Sequence, residues 1–194
     1  MDVDFLASYP SLLEADTLKN TLSDLKLVVF DVDGVLTDGG LLYSASGEEV
    51  KRFNVKDGVA MKLLPKWGIT VAVITAKDSA PLRRRMEDLG VKHFYPGCHD
   101  KAAAFDELVG KLQVSPKQCA YVGDDVIDLQ VMPKVGVSFC PSDAHILVQR
   151  HCHFMLNKAA GQGVAREVAD VILAVRMTLE DAYALAQKPE FEKK

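Results

Sequence analysis

The sequence of 194 residues is 48% hydrophobic and 26% charged, the proportions of an ordinary globular domain, which exclude collagen, a disordered chain and a coiled coil. Its 23 Lys and Arg against 27 Asp and Glu give a formal charge of −4 with no long block of like charge, so neither a nucleic-acid groove nor a polybasic membrane face is expected. A chain of this length buries about 70% of the surface it exposes when unfolded, so a metal ion would be expected to do chemistry rather than hold the fold together.

The chain begins Met1-Asp2-Val3-Asp4, which is not the basic start of a secretory signal, and no run approaches the roughly 20 apolar residues of a membrane span. A cytoplasmic protein is expected. Residues 1–24 read as a leading segment, helical from Ser11 to Leu25. The first β-branched run, Leu27 to Phe30, opens Asp31-Val32-Asp33-Gly34-Val35-Leu36-Thr37-Asp38-Gly39. Two carboxylates two residues apart, between an apolar strand and a glycine turn, crowd negative charge and call for a cation; a DxD alone also suits a solvated turn. Gly39 to Asn54 breaks the strand–helix rhythm. A short apolar run, the turn Ser44-Ala45-Ser46-Gly47 and an alternating run predict a β-hairpin outside the main sheet.

A helix is predicted over Gly58 to Trp67 and a strand over Ile69 to Thr75, followed by Ala76-Lys77-Asp78-Ser79. A threonine there is by itself a common helix cap. The helix Ala80 to Leu89 carries Arg83-Arg84-Arg85, which alone reads as a solvated face. His93 to Tyr95 is the next strand, and Lys101 opens a helix running to Leu112. The strand Cys119 to Val122 ends in Gly123-Asp124-Asp125-Val126-Ile127-Asp128, acids that could also cap the next helix. Then come a helix over Ile127 to Lys134, a strand over Gly136 to Phe139, a helix over Asp143 to Arg150, a long helix from Val164 to Gln187 and a loose tail from Lys188 to Lys194. The four cysteines lie in or beside apolar runs with no CxxC pair, and read as buried thiols. His151-Cys152-His153 is not a metal site, because neighbours in an extended segment point to opposite faces. Helices alternating with continuously apolar strands predict one α/β domain, a Rossmann-like parallel sheet flanked by helices, with ligands at the carboxyl ends of the strands.

The run DVDGVLTDG resembles the first motif of the haloacid dehalogenase superfamily of phosphotransferases. Thr75, Lys101 and GDDxxD follow in the order of its other three motifs. The resemblance implies Mg²⁺ held by the Asp31 carboxylate, the Asp33 carbonyl and the Asp124 carboxylate, with Asp125 and Asp128 ordering the surroundings. It further implies Asp31 as nucleophile, Asp33 as acid and then base, and Thr75 and Lys101 on the phosphoryl oxygens.

From Leu25 to Met177 the chain is similar to the 3-deoxy-D-manno-octulosonate 8-phosphate phosphatases, through Asp38-Gly39, Gly47-Glu48, Phe53-Asn54-Val55-Lys56-Asp57-Gly58, Leu89-Gly90-Val91, Ser142-Asp143-Ala144-His145 and Gly161 to Glu167. That resemblance implies hydrolysis of a small sugar-acid phosphate in lipopolysaccharide biosynthesis by a capless homotetramer. Arg85, Gly161, Gly163 and Arg166 become candidate substrate contacts. Spacing agrees on the missing cap, since neither the stretch between Asp33 and Thr75 nor that between Thr75 and Lys101 has room for about 50 further residues. The hairpin is the candidate oligomer contact and residues 177–194 the candidate lid borrowed from a neighbour. Ala76-Lys77 replaces the family's usual Gly-Arg, Lys56 a usual Arg, Val59 a usual Tyr, and Ala160 and Gln162 a usual Gly and Arg. Lysine lacks the planar fork that grips a carboxylate, so these changes bear on the sugar acid more than on phosphoryl transfer. A nonulosonate 9-phosphate phosphatase is the alternative enzyme, and a regulatory or interaction subunit on the same fold the alternative without chemistry.

Overall fold

The computed structural model describes residues 9–192; the first eight residues of the leading segment and the last two of the tail lie outside them. Six strands form a parallel sheet in the order β5-β4-β1-β6-β7-β8. They are β1 (Leu27–Phe30), β4 (Thr70–Ile74), β5 (His93–Tyr95), β6 (Cys119–Val122), β7 (Val137–Cys140) and β8 (Phe154–Met155). β2 (Leu42–Ser44) and β3 (Gly47–Val50) pair separately as an antiparallel hairpin, at the predicted place.

The central strands read as unbroken apolar runs because each feeds two cores. Val28, Phe30, Val71, Val73, Ala120 and Val122 point to one face, where they meet α1 (Ala15–Asp24), α2 (Val55–Leu63), α3 (Ala80–Leu89) and α6 (Val164–Ala174). The alternate residues Leu27, Val29, Ala72, Ile74, Cys119 and Tyr121 face α4 (Lys101–Leu112) and α5 (Ile146–His151). With a period of two, a strand covered by helices on both faces has no side left for water.

Several elements depart from the sequence reading. The helix expected over Gly58 to Trp67 starts three residues earlier, capped by Asn54, and gives way at Leu64–Trp67 to a 3₁₀ turn containing Pro65. The segment Ile127 to Lys134 is not an α-helix; Val126–Gln130 is a 3₁₀ turn held by a reciprocal cap between Asp125 and Asp128. α5 begins three residues after the expected Asp143, whose carboxylate instead accepts the Ala160 amide at 2.9 Å. The strand β8 was missed because it is two residues long.

The long helix from Val164 is broken after Ala174 and resumes as α7 (Leu179–Tyr183), capped by Thr178. At the break the Arg176 guanidinium donates to the Leu22 and Leu25 carbonyls at 3.2 and 2.7 Å. Within the subunit, part of the candidate lid, residues 177–192, packs on its own chain. Ala182 packs with Leu63 and Leu173, Trp67 donates to the Ala182 carbonyl at 3.1 Å, and Pro189–Glu192 forms a short turn within the expected loose tail. All four cysteines are free thiols, three of them buried and Cys98 half-buried.

Candidate active site

From β1 the chain runs through the hairpin and α2 to β4 on one side, and after β5 returns through α4 to β6 on the other. β1 is therefore the point where the strand order reverses, the usual place for a ligand crevice in a parallel sheet. Phe30 pairs with both Val73 and Val122, so Asp31, Thr75 and Asp124 leave the sheet at one edge. The Asp31 amide still donates to the Val122 carbonyl at 2.9 Å, which fixes its direction.

Ligand atoms of Asp31, Asp124 and Asp128 lie within 4.8 Å of one another. Lys101, buried at the start of α4, donates to Asp31 Oδ2 at 2.8 Å and to Asp128 Oδ1 at 2.7 Å. Asp128 is saturated: Oδ1 also accepts the Tyr121 hydroxyl at 2.8 Å, and Oδ2 accepts the Asp124 and Asp125 amides at 2.9 and 3.1 Å. Asp128 is thus the hub that shapes the acidic loop. Asp125 turns to cap Val126 at 2.7 Å. Glycines make the close approaches possible: a Cβ on Gly34, where φ is +84°, would fall 1.9 Å from Asp124 Oδ2, and one on Gly123 would fall 2.4 Å from Asp128 Cγ.

Three carboxylates face one ammonium, so two negative charges are uncompensated when all are ionised. Burial, the Asp128 charge and their closeness push Asp31 up to about 7, against the pull of Lys101. Burial and the Asp31 and Asp128 charges push Asp124 up to about 8. Burial alone would lower the Lys101 ammonium, but Asp31 and Asp128 outweigh it and raise it above its usual range. Anionic oxygens held this close, with a surplus of two charges, fit a hard divalent cation.

Asp33 sits apart from this cluster. Its Oδ1 accepts Thr37 Oγ1 at 3.1 Å and the Lys51 ammonium, while Oδ2 is buried with no hydrogen-bond partner. Thr75 is buried, with its amide on the Tyr95 carbonyl at 3.0 Å and Oγ1 accepting the Lys77 amide at 3.4 Å.

The residues expected on the substrate side form a wall beside this floor. Gly161, with φ +68°, donates to the Val35 carbonyl at 3.0 Å, and a Cβ there would lie 2.7 Å from the Asp38 amide nitrogen. Gly163, with φ +99°, is the N-cap of α6. Arg85 donates to the Asn54 carbonyl at 3.2 Å and lies over the Phe53 ring, and Asn54 Nδ2 in turn donates to the Gly161 carbonyl at 3.2 Å. Arg166 lies 4.1 Å over the Tyr183 ring and 3.6 Å from Asp170, while its amide donates to Asp57 Oδ1 at 3.0 Å. Both guanidinium groups are engaged in holding the wall.

A profile for haloacid dehalogenase-like hydrolases matches residues 91–168. The 3-deoxy-D-manno-octulosonate 8-phosphate phosphatase of Yersinia pestis is 41% identical over 172 residues, 89% of this chain and 92% of that protein. This chain belongs to that family. The cobalt-bound structure of the Haemophilus influenzae phosphatase superposes with a TM-score of 0.79 at 43% identity, covering 80% of this chain and 91% of that one. The Moraxella catarrhalis phosphatase, solved with magnesium ion, phosphate ion and a KDO molecule, superposes with a TM-score of 0.84 at 32% identity, covering 90% of this chain and all of that one.

Sequence reasoning did not single out Lys51, Thr37 or Tyr121. Tyr121 carries a signal in hindsight, a hydroxyl in an otherwise apolar strand that needs a buried partner. Lys51 carries none, since a lysine just past a hairpin strand ordinarily faces water.

Proposed function

We propose that the chain is a phosphomonoester hydrolase that cleaves 3-deoxy-D-manno-octulosonate 8-phosphate to the free sugar acid and phosphate. The observation that carries this reading is the family likeness across nine-tenths of the chain, and the charge surplus at the strand ends agrees with it. Asp31 and Asp124, with the Asp33 carbonyl, would hold Mg²⁺; when bound it would offset the carboxylates and the charge on the phosphoryl oxygens.

Asp31 attacks phosphorus in line, and the bond to the sugar oxygen breaks as an aspartyl-phosphate forms. Asp33 gives its proton to the departing alkoxide, then takes one from the water that hydrolyses the aspartyl-phosphate. Lys101 keeps Asp31 aimed and neutralises the transferring group, and Thr75 hydrogen-bonds a phosphoryl oxygen. Asp125 and Asp128 keep the Asp124 loop in place. Gly161 and Gly163 shape the wall against which the sugar rests, and Arg85 and Arg166 brace it. Among the described residues no cap covers the site, so a cytoplasmic homotetramer, with neighbours excluding water, completes the proposal.

The test compares specificity constants for the eight-carbon and nine-carbon sugar-acid phosphates in the presence of Mg²⁺. The eight-carbon substrate should be preferred by at least about tenfold, on the order of 1.4 kcal/mol. Preference for the nine-carbon substrate would reassign the enzyme, and failure to release phosphate from either would remove the hydrolase reading.

A further inference from the structure

Lys51 lies directly after β3 of the hairpin, yet its side chain is only 1% exposed and its ammonium reaches Asp33 Oδ1. Thr37 donates to the same oxygen at 3.1 Å. Two donors from separate segments thus converge on one carboxylate oxygen, while Oδ2 is buried and unpartnered. A salt bridge placed for stability alone gains most by engaging both oxygens, because an unsatisfied buried acceptor is costly. An acid that must hand a proton to a leaving group needs the opposite, one oxygen clamped and the other left without a protein donor.

We propose that Lys51 is a positioning residue for the reaction, clamping Asp33 with Thr37 so that Oδ2 faces the leaving-group oxygen. The inference rests on the reading of Asp33 as the general acid. It also gives the hairpin a role within its own subunit, since displacing β3 would carry Lys51 away and release Asp33 to rotate.

The consequence is selective. Departure of a sugar alkoxide needs a proton, whereas departure of p-nitrophenolate does not, and kcat/KM covers the steps up to that departure. Lys51→Met should lower kcat/KM on the sugar-acid phosphate roughly 10- to 100-fold, the scale of a misplaced catalytic group, and leave kcat/KM on p-nitrophenyl phosphate within about threefold. The same substitution made on top of Asp33→Asn should cost nothing further, and Lys51→Arg should recover part of the loss. Lys51→Gln, which keeps a donor without the charge, serves if the methionine variant does not fold. Equal losses on both substrates, or a full additional loss in the Asp33→Asn background, would overturn the proposal. If the unaltered enzyme hydrolyses the aryl phosphate but not the sugar-acid phosphate, the substrate assignment is what fails. Wild-type kcat/KM on the sugar-acid phosphate in Lys51→Met would instead remove Lys51 from the mechanism.

Discussion

Asp31, Thr75, Lys101 and the Asp124 loop rise from the ends of three adjacent parallel strands and one helix, whereas Lys51, Asn54 and Gly161 to Gly163 come from a hairpin and loops. The first group is placed by backbone register: once Phe30 pairs with Val73 and Val122, its carboxylates have little freedom. The second is placed by single contacts between segments far apart in the chain, such as Asn54 Nδ2 to the Gly161 carbonyl at 3.2 Å. Electrostatics differ as well. The floor carries crowded charge with a surplus of two negatives, while Asp33 and Lys51 beside it form a balanced pair. The floor is therefore a charge trap suited to a cation and a phosphate, and the wall is a surface set by long-range contacts beside it, suited to whatever the phosphate is attached to.

The largest effect that tests this division is at the nucleophile. Asp31→Asn keeps the shape of the floor and removes the attacking charge, so turnover should fall by about 10⁴-fold or more, with the circular dichroism spectrum and sheet contacts retained. Residual turnover within tenfold of wild type would mean that the floor does not supply the nucleophile.

A second test addresses the charge surplus, read by thermal melting with and without Mg²⁺. Asp31 and Asp124 are pushed up to about 7 and about 8 in the folded chain, by burial first and by neighbouring carboxylates next, whereas an unfolded Asp titrates near 3.9. Groups raised in this way bind more protons folded than unfolded. Metal-free stability should therefore decline as pH rises from about 4 to about 8. A divalent cation relieves that penalty where the carboxylates are ionised and repel one another, and has to displace protons where they are not. The gain in melting temperature from Mg²⁺ should be small at pH 5.5 and reach about 4 °C or more at pH 8. An equal gain at both values would place the cation elsewhere.

Legibility in the sequence follows the same line. The floor was readable because strands buried on both faces are continuously apolar, and their polar ends stand out: Asp31 after Phe30, Thr75 after Ile74, Asp124 after Gly123. The helix break after Ala174 carries a local signal, Thr178 three residues before Asp181 as at a helix start, but the anchoring of Arg176 on the Leu22 and Leu25 carbonyls depends on distant chain and is not readable. Lys51 was invisible for a related reason: its burial is created by where the hairpin comes to rest, which no local pattern encodes. Arg85 is a candidate substrate contact only through the family resemblance, and its hydrogen bond to the Asn54 carbonyl ties it to the wall.

The smallest effect concerns the exposed apolar side chains of the hairpin: Leu42 and its cross-strand partner Val50, 60% and 53% exposed, and Tyr43 on the opposite side, 62% exposed. Neighbouring exposed apolar side chains on a short two-stranded unit are the mark of a surface that meets another surface, and the proposed tetramer supplies one. Within a single subunit these side chains bury little, so replacing Leu42 and Tyr43 together with serine should change the stability of the dissociated chain by no more than about 0.5 kcal/mol, the usual range for exposed positions. The same change should shift the sedimentation coefficient from the assembled toward the single-chain value, with loss of turnover following the loss of assembly. The inward-facing role of Lys51 predicts the reverse pattern, turnover lost with assembly intact. If the serine variant sediments as wild type, these side chains are not the assembly contact, and the hairpin's work is confined to the lysine it delivers to Asp33.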